Sequence, residues 1–389
     1  MTPPVFSLNR RRFVSALALA LPAAGSWAQT TAGNPELASL DSLLEPVREK
    51  NHLPALAAAV AKNGRVIAAG AAGIRRFDAT TPVTVEDKFH IGSITKSMTA
   101  TLAAMFVEQD KIKWQSTLAE QFPELADVMK PAWKEVTLEL LLGHRGGAPG
   151  EVEKNLWAQC WQFKGPAPAH RMLLVKGTLT QEPEARPGAR HIYSNSGYAI
   201  VGAMLERIAG QPWEKLITEK LFSPLGMKSA GFGAPATPGQ TDQPWGHVPG
   251  SPSPKPVPPG PGADNPTAIG PAGTVHCSVA DLARYGAFHA AGESGGSKLL
   301  PPASFKKLHA PLPGQDYALG WGVAERDWAG GAALSHTGSN TMFYANLWVA
   351  PRRNFAVAAM TNLAGTKVFA ATDETVGKLI GEFLMKNKK

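Results

Sequence analysis

Apolar positions recur with two different periods along the chain, and the change of period divides it. From Glu36 to Lys50, Leu37, Leu40, Leu43, Leu44 and Val47 return at three- and four-residue steps, which predicts a helix with one apolar side. Ala55–Lys62 and Arg65–Gly70 flank Asn63-Gly64. Asn-Gly suits the two positive-φ positions of a type I′ turn, so this region reads as a β-hairpin. Strand-like runs return near the other end, at Ala318–Ala324, Met342–Ala350 and Asn354–Thr361, with Pro351-Arg352-Arg353 as a connecting turn. A last helix over Lys367–Met385 places Val368, Val376, Leu379, Ile380 and Phe383 on one stripe. Between these ends the period is helical: Thr95–Gln109, Thr137–Leu142, Ser196–Ala209, Trp213–Leu221 and Val279–Ala291. Strands at both ends with helices between predict an α/β arrangement, one sheet built from both chain ends with an inserted helical region. The α/β part covers 29–92 and 315–389, and the helical part about 93–314, of a single domain.

The stretch from Gly233 to Pro266 carries 11 Pro. A linker would separate two cores, but the strands on either side share one sheet in this reading. The stretch is therefore expected to be a long ordered loop on the surface of the helical region, near any cleft. With hydrophobic residues at 44% and charged residues at 18%, the chain is not of the disordered class.

The first 28 residues have a different character. Asn9-Arg10-Arg11-Arg12-Phe13-Val14 resembles a twin-arginine export motif, an apolar run follows to Gly25, and Ser26-Trp27-Ala28 is a small-x-small cleavage site. Cleavage after Ala28 into the periplasm or the medium is expected, with no stable membrane insertion afterwards. Losing three Arg and no acid lowers the net charge from +8 to +5. Spread over the remaining length, that excess does not form a phosphate grip, and no nucleic-acid partner is expected. Cys160 and Cys277 could pair in an oxidising compartment or remain buried thiols. The ten His are scattered and no H-E-x-x-H or C-x-x-C occurs, so neither a metal nor an organic cofactor is expected.

Candidate chemistry begins at Ser93-Ile94-Thr95-Lys96, an S-x-x-K just ahead of a helical pattern. Residues three apart share a helix face, so the Ser93 hydroxyl and Lys96 amine can meet. A buried lysine with lowered proton affinity can take the serine proton. Ser304-Phe305-Lys306-Lys307 repeats the pattern without supporting context. Tyr193-Ser194-Asn195 follows a hundred positions on, opening another helix, and His336-Thr337-Gly338-Ser339 stands just before a strand.

This ordered trio resembles the active site of penicillin-recognising serine hydrolases: class C β-lactamases, related D,D-peptidases and the esterases that share their fold. Phe89-His90-Ile91-Gly92 resembles the family's approach to its nucleophile. Val136–His144, Pro187-Gly188, Pro224–Met227, Pro271-Ala272-Gly273 and Ser278–Ala283 also fit, so the likeness runs from about Leu53 to Asn362. Arg145-Gly146-Gly147 departs from the family's usual ending of the leucine-rich segment. The resemblance implies a β-lactamase/transpeptidase-like fold, a mainly antiparallel sheet flanked by helices with the cleft beside the helical region. It makes Ser93 the nucleophile, Lys96 its proton-handling partner and Tyr193 the phenolate or hydrogen-bonding base near the leaving group. Asn195 would bind substrate or orient Lys96, and His336, Thr337, Gly338 and Ser339 would line the substrate along a strand edge. Backbone N–H groups of Ser93 and Ser339 would form the oxyanion hole. His144 reads as structural. His336 stands where class C β-lactamases usually have lysine, and an unperturbed imidazole, titrating near 6.5, is mostly neutral at pH 7. The expected activity is acyl transfer from a small-molecule or peptide substrate, D,D-peptidase-like or esterase-like with at most weak β-lactamase action. The alternative is a non-catalytic penicillin-binding-like receptor or wall-associated protein.

Overall fold

The computed structural model describes residues 37–386; the export signal expected over residues 1–28 lies outside them. A seven-stranded sheet forms the spine. Its strands are β1 (Ala38–Ser39), β2 (Ala55–Lys62) and β3 (Arg65–Gly73) from one end of the chain. From the other end come β9 (Gly322–Arg326), β10 (Gly331–Ser339), β11 (Tyr344–Ala350) and β12 (Phe355–Thr361), in the order β1-β3-β2-β12-β11-β10-β9. All neighbours pair antiparallel except β1 with β3. The mainly antiparallel α/β fold expected from the sequence is therefore present. A small sheet of β4 (Lys88–His90), β5 (Gly231–Phe232) and β8 (Val275–Ser278), and a ribbon of β6 (Gly246–Val248) with β7 (Lys255–Val257), complete the strands.

Both faces of the central strands are covered, and the alanine-rich sequences allow it. In β2, Ala55, Ala57, Ala59 and Ala61 join one core, whereas Leu56, Ala58 and Val60 join another on the opposite face. The helices Asp41–Lys50 and Thr366–Ile380 cover the second face through Leu44, Val47, Val368 and Leu379. The Val279–Gly292 helix covers the first so closely that a Cβ on Gly286 would lie 2.7 Å from that of Ala356. The hairpin turn has Asn63 at φ +52° and Gly64 at φ +75°, the two left-handed residues of a type I′ turn.

Several expected boundaries shift. The first helix begins at Asp41, not Glu36, because Ala38–Ser39 pair with the free edge of β3 and leave Leu37 exposed. The strand expected at Ala318–Ala324 starts only at Gly322, since the chain turns at Gly320 (φ +84°) against the backbone of Ser97. Gly331–Ser339, rich in Gly and Ser, is a full strand that its composition conceals. Helices Lys154–Gln162, Ala167–Leu179 and Pro302–His309 were not foreseen. The Pro-rich segment is ordered but does not stay on the helical region. Trp245 N donates to Arg75 O, and His247 N donates to Met342 O beside the main sheet. Cys160 and Cys277 are free, buried thiols, and burial raises both, Cys160 to about 11.

Candidate active site

Three segments distant in sequence converge beside the edge of β10. The first is the 3₁₀ turn Gly92–Ile94, which runs directly into the helix Thr95–Glu108. Small residues and internally bonded hydroxyls let this helix be buried nearly all round; Thr101, for instance, donates to Ser97 O. The second is the start of the Asn195–Ala209 helix, capped by Ser194, whose hydroxyl accepts from Gly197 N and donates to Pro149 O. The third is the end of β10.

Lys96 is fully buried, with Nζ 3.1 Å from Ser93 Oγ, 2.7 Å from Asn195 Oδ1 and 2.9 Å from Ala272 O. Desolvation lowers its pKa well below the usual lysine value. A neutral amine has two N–H groups and one lone pair. With two carbonyl oxygens taking the N–H groups, the lone pair is left for the serine hydroxyl proton. Tyr193 stacks its ring 4.7 Å from Lys96 Nζ and keeps 39% of its surface open. Crowding of the phenol raises it to about 12, only partly offset by the Ser93 hydroxyl. That disfavours the phenolate form and favours a hydrogen-bonding Tyr193.

Gly338 and Gly92 are where β10 and the turn bearing Ser93 meet. A Cβ on Gly338 would fall 2.0 Å from Ile91 O and 2.5 Å from Ser93 N, and one on Gly92 2.2 Å from Ser339 N. Only glycine permits this approach, which brings the backbone nitrogens of Ser93 and Ser339 to one junction. β9 pairs with β10 only over Gly331–Ser335, so the following residues leave their outer edge unpaired by any strand. The side chains of Thr337 and Ser339 do not face Ser93. Thr337 serves the phenol of Tyr344, packed on the opposite face, and Ser339 Oγ donates to Phe343 O while accepting from Thr341 N. Their contribution at the site is backbone.

His336 corrects an expectation. Its imidazole does not titrate near 6.5: burial first, then Lys96, lowers it to about 4. Nδ1 lies 2.6 Å from Thr337 O and so carries the proton, and Nε2 accepts from the Tyr317 hydroxyl at 3.1 Å. Tyr317 belongs to a wall that sequence reading missed. With His191, Tyr193 and Tyr198 it surrounds His144, their ring centroids lying 4.4 to 5.5 Å from that of His144. His144 fixes the approach to Tyr193 by accepting from Ser194 N at 3.1 Å. No local pattern marks Tyr317, but Ala272 lies in the quoted Pro-Ala-Gly motif. Ser304 sits apart, buried in its own helix and donating to Glu108. Among the described residues no group of three or more His, Cys, Asp or Glu is arranged to hold a metal. None of the described helices is long and apolar enough to cross a membrane.

Comparison with known proteins agrees with this architecture. The Beta-lactamase family model matches residues 40–382. Penicillin-binding protein 4 of Amycolatopsis lactamdurans is 27% identical over 353 residues, covering 87% of this chain and 88% of its own. The octameric penicillin-binding protein homologue from Pyrococcus abyssi superposes with a TM-score of 0.71 at 22% identity, over 87% of this chain and 76% of that one. A D-amino acid amidase from Ochrobactrum anthropi SV3, complexed with L-phenylalanine amide, gives 0.69 at 17% identity, over 90% and 98%. At these identities the two structures establish likeness of fold.

Proposed function

The chain belongs to the beta-lactamase family of hydrolases, and on that premise we propose that it is an exported serine hydrolase working through an acyl-enzyme on an amide or ester substrate. The observation that carries this reading is the arrangement around Lys96. Two carbonyl oxygens hold the amine, its charge is suppressed by burial, and its remaining partner is Ser93 Oγ.

Ser93 Oγ attacks the substrate carbonyl carbon while its proton passes to Lys96 Nζ. The oxygen of the tetrahedral intermediate gains negative charge, for which the backbone N–H groups of Ser93 and Ser339 act as donors. As the C–N or C–O bond breaks, the Tyr193 hydroxyl gives its proton to the leaving group and is reprotonated from Lys96. Water then attacks the ester carbonyl of acyl-Ser93, regenerating the serine. The free edge of β10 pairs with an extended substrate by strand addition.

The neutral His336 offers no cation for a β-lactam carboxylate, which supports D,D-peptidase-like or esterase-like action over efficient β-lactam hydrolysis. The likeness to a penicillin-binding protein and a D-amino acid amidase points the same way. A non-catalytic receptor of the same fold would have no use for a lysine held neutral against a serine. The test is stopped-flow release of nitrophenol from a p-nitrophenyl short-chain ester, with labelling by a fluorescent penicillin in parallel. A burst of about one equivalent, absent in Ser93→Ala and retained in Ser304→Ala at matched far-UV circular dichroism, is expected. Equal turnover by wild type and Ser93→Ala would sink the reading. Export is tested by N-terminal sequencing of the secreted protein, expected to start at Gln29.

A further inference from the structure

Behind the nucleophile turn lies a buried pair of ionisable groups that the acyl-transfer steps do not use. His90, the last residue of β4, is wholly buried, and its Nδ1 accepts the Gly92 N–H at 3.0 Å. Because Nδ1 is the acceptor, the neutral ring carries its proton on Nε2. That nitrogen lies 2.7 Å from Oδ1 of Asp264, itself 8% exposed. The approach is oblique to the N–H direction, so the attraction is of carboxylate charge to ring dipole more than an in-line hydrogen bond. Gly92 stands at φ +49° against Ser339 N, where its peptide cannot tilt without moving the junction of the two backbone nitrogens.

We propose that His90 and Asp264 are positioning residues for acyl transfer: Asp264 holds the imidazole in the tautomer that accepts the Gly92 N–H, and that bond fixes the turn presenting Ser93. The inference rests on the acyl-enzyme reading above. Without the carboxylate, the other tautomer turns an N–H toward the Gly92 N–H, and two donors face each other. The same segment braces the other side of the site. Asn265 Nδ2 donates to Gly273 O at 2.8 Å, next to the Ala272 carbonyl that holds Lys96. Adjacent residues of the Pro-rich segment thus support both the nucleophile turn and the lysine, and the docking of that segment sets the acylation rate.

Asp264 also lines a cavity of about 490 Å³ that the Phe163–Gly165 loop and His170 share with the Pro-rich segment. A small carboxylate can therefore reach the space that a truncated side chain leaves. The experiment measures the burst rate with p-nitrophenyl acetate, per titrated active serine, in the full mature chain. Asp264→Ala is expected to slow acylation roughly 10- to 100-fold, as a small misplacement of reacting groups does, with little change in KM. Asp264→Asn, which keeps an oxygen opposite Nε2 but loses the charge, gives a rate between those of wild type and Asp264→Ala. Sodium formate restores Asp264→Ala saturably and leaves wild type unaffected, a response that loss of packing alone would not give. A wild-type burst rate in Asp264→Ala, a loss confined to KM, or no recovery with formate overturns the positioning role. Should Asp264→Ala not fold, His90→Asn against His90→Val decides: the amide keeps an acceptor for Gly92 and must outpace valine, and equal rates overturn the proposal. Absence of any burst in wild type removes the acyl-enzyme reading itself, and is distinguishable from a normal wild-type burst with unaffected variants.

Discussion

Lys96 and Tyr193 are the two groups able to move the Ser93 proton, and their surroundings push them in opposite senses. Burial takes charge away from the lysine and makes its free amine available, while the same loss of water keeps the tyrosine protonated, with its pKa near 12. In the proposed mechanism this makes Lys96 the base and Tyr193 a proton donor. Tyr193→Phe is expected to lower kcat by roughly 10²–10⁴-fold, with KM little changed because the ring is retained. The acid limb of kcat/KM, where activity rises as Lys96 loses its proton, should survive in this variant. Disappearance of that limb in Tyr193→Phe would make the tyrosine the base. His336 is expected to give no inflection between pH 6 and 8, since its pKa of about 4 lies below that range. A penicillin-labelling rate that climbs as pH falls through 6.5 and loses the climb in His336→Gln would contradict this.

The glycines separate elements that must touch from elements with room to spare. At the contact of β10 with the turn bearing Ser93, Gly338→Ala puts a methyl group inside the van der Waals radii of Ile91 O and Ser93 N. Neither backbone can yield cheaply. The variant should lose about 1–3 kcal/mol of stability by overpacking, and roughly 10²-fold or more in acylation as the donors at the junction part. Gly377, inside the Thr366–Ile380 helix, has nothing within 4 Å of an added Cβ. Gly377→Ala should instead stabilise by about 0.5–1 kcal/mol, as alanine replaces glycine in a helix interior. Thermal melts and burst rates of the two variants check both expectations. A destabilised Gly377→Ala or an active Gly338→Ala would contradict the packing described here.

At the scale of the whole molecule, the number of histidines held neutral by burial decides the response to acid. His276 and His336 are lowered to about 4, and His144, His289 and His309 are also depressed, burial being the first cause in each. Unfolded histidines take up protons as pH falls through about 6.5, and these folded ones do not until lower pH. Their contribution is fully present above 6.5 and is lost as the medium turns acid. Between pH 7 and 5, His276 and His336 each cost the fold roughly 2 kcal/mol by this linkage. Urea midpoints should therefore fall over that interval, less steeply in His336→Gln, whereas a flat profile would contradict the burial of these rings. His289 and His309 add a structural reason for the decline. His309 bridges Glu293 to His289, which reaches Tyr285 on its own helix and Thr101 on the helix bearing Lys96.

Local chemistry was legible without coordinates wherever a short run of residues determines its own conformation. Asn63-Gly64 specifies its turn because both residues tolerate positive φ, and the 3.6-residue stripe from Val368 to Ile380 specifies its helix. Ser93 and Lys96 meet because a helical turn separates them. The order of Ser93, Tyr193 and His336 likewise announced the family and its antiparallel α/β fold. Tertiary structure alone decided what depends on distant neighbours. Gly331–Ser339 is a strand because β9 and β11 pair with it, against its own composition. Lys96 loses its charge because the folded protein packs around it and strips water from its amine, and His336 stays neutral because burial first, and then Lys96, oppose its protonation. The link from Asp264 to His90 joins residues 174 positions apart. Backbone preference acts over a few residues and can be read from them. Desolvation and close approach act through space, among groups that only the folded chain brings together.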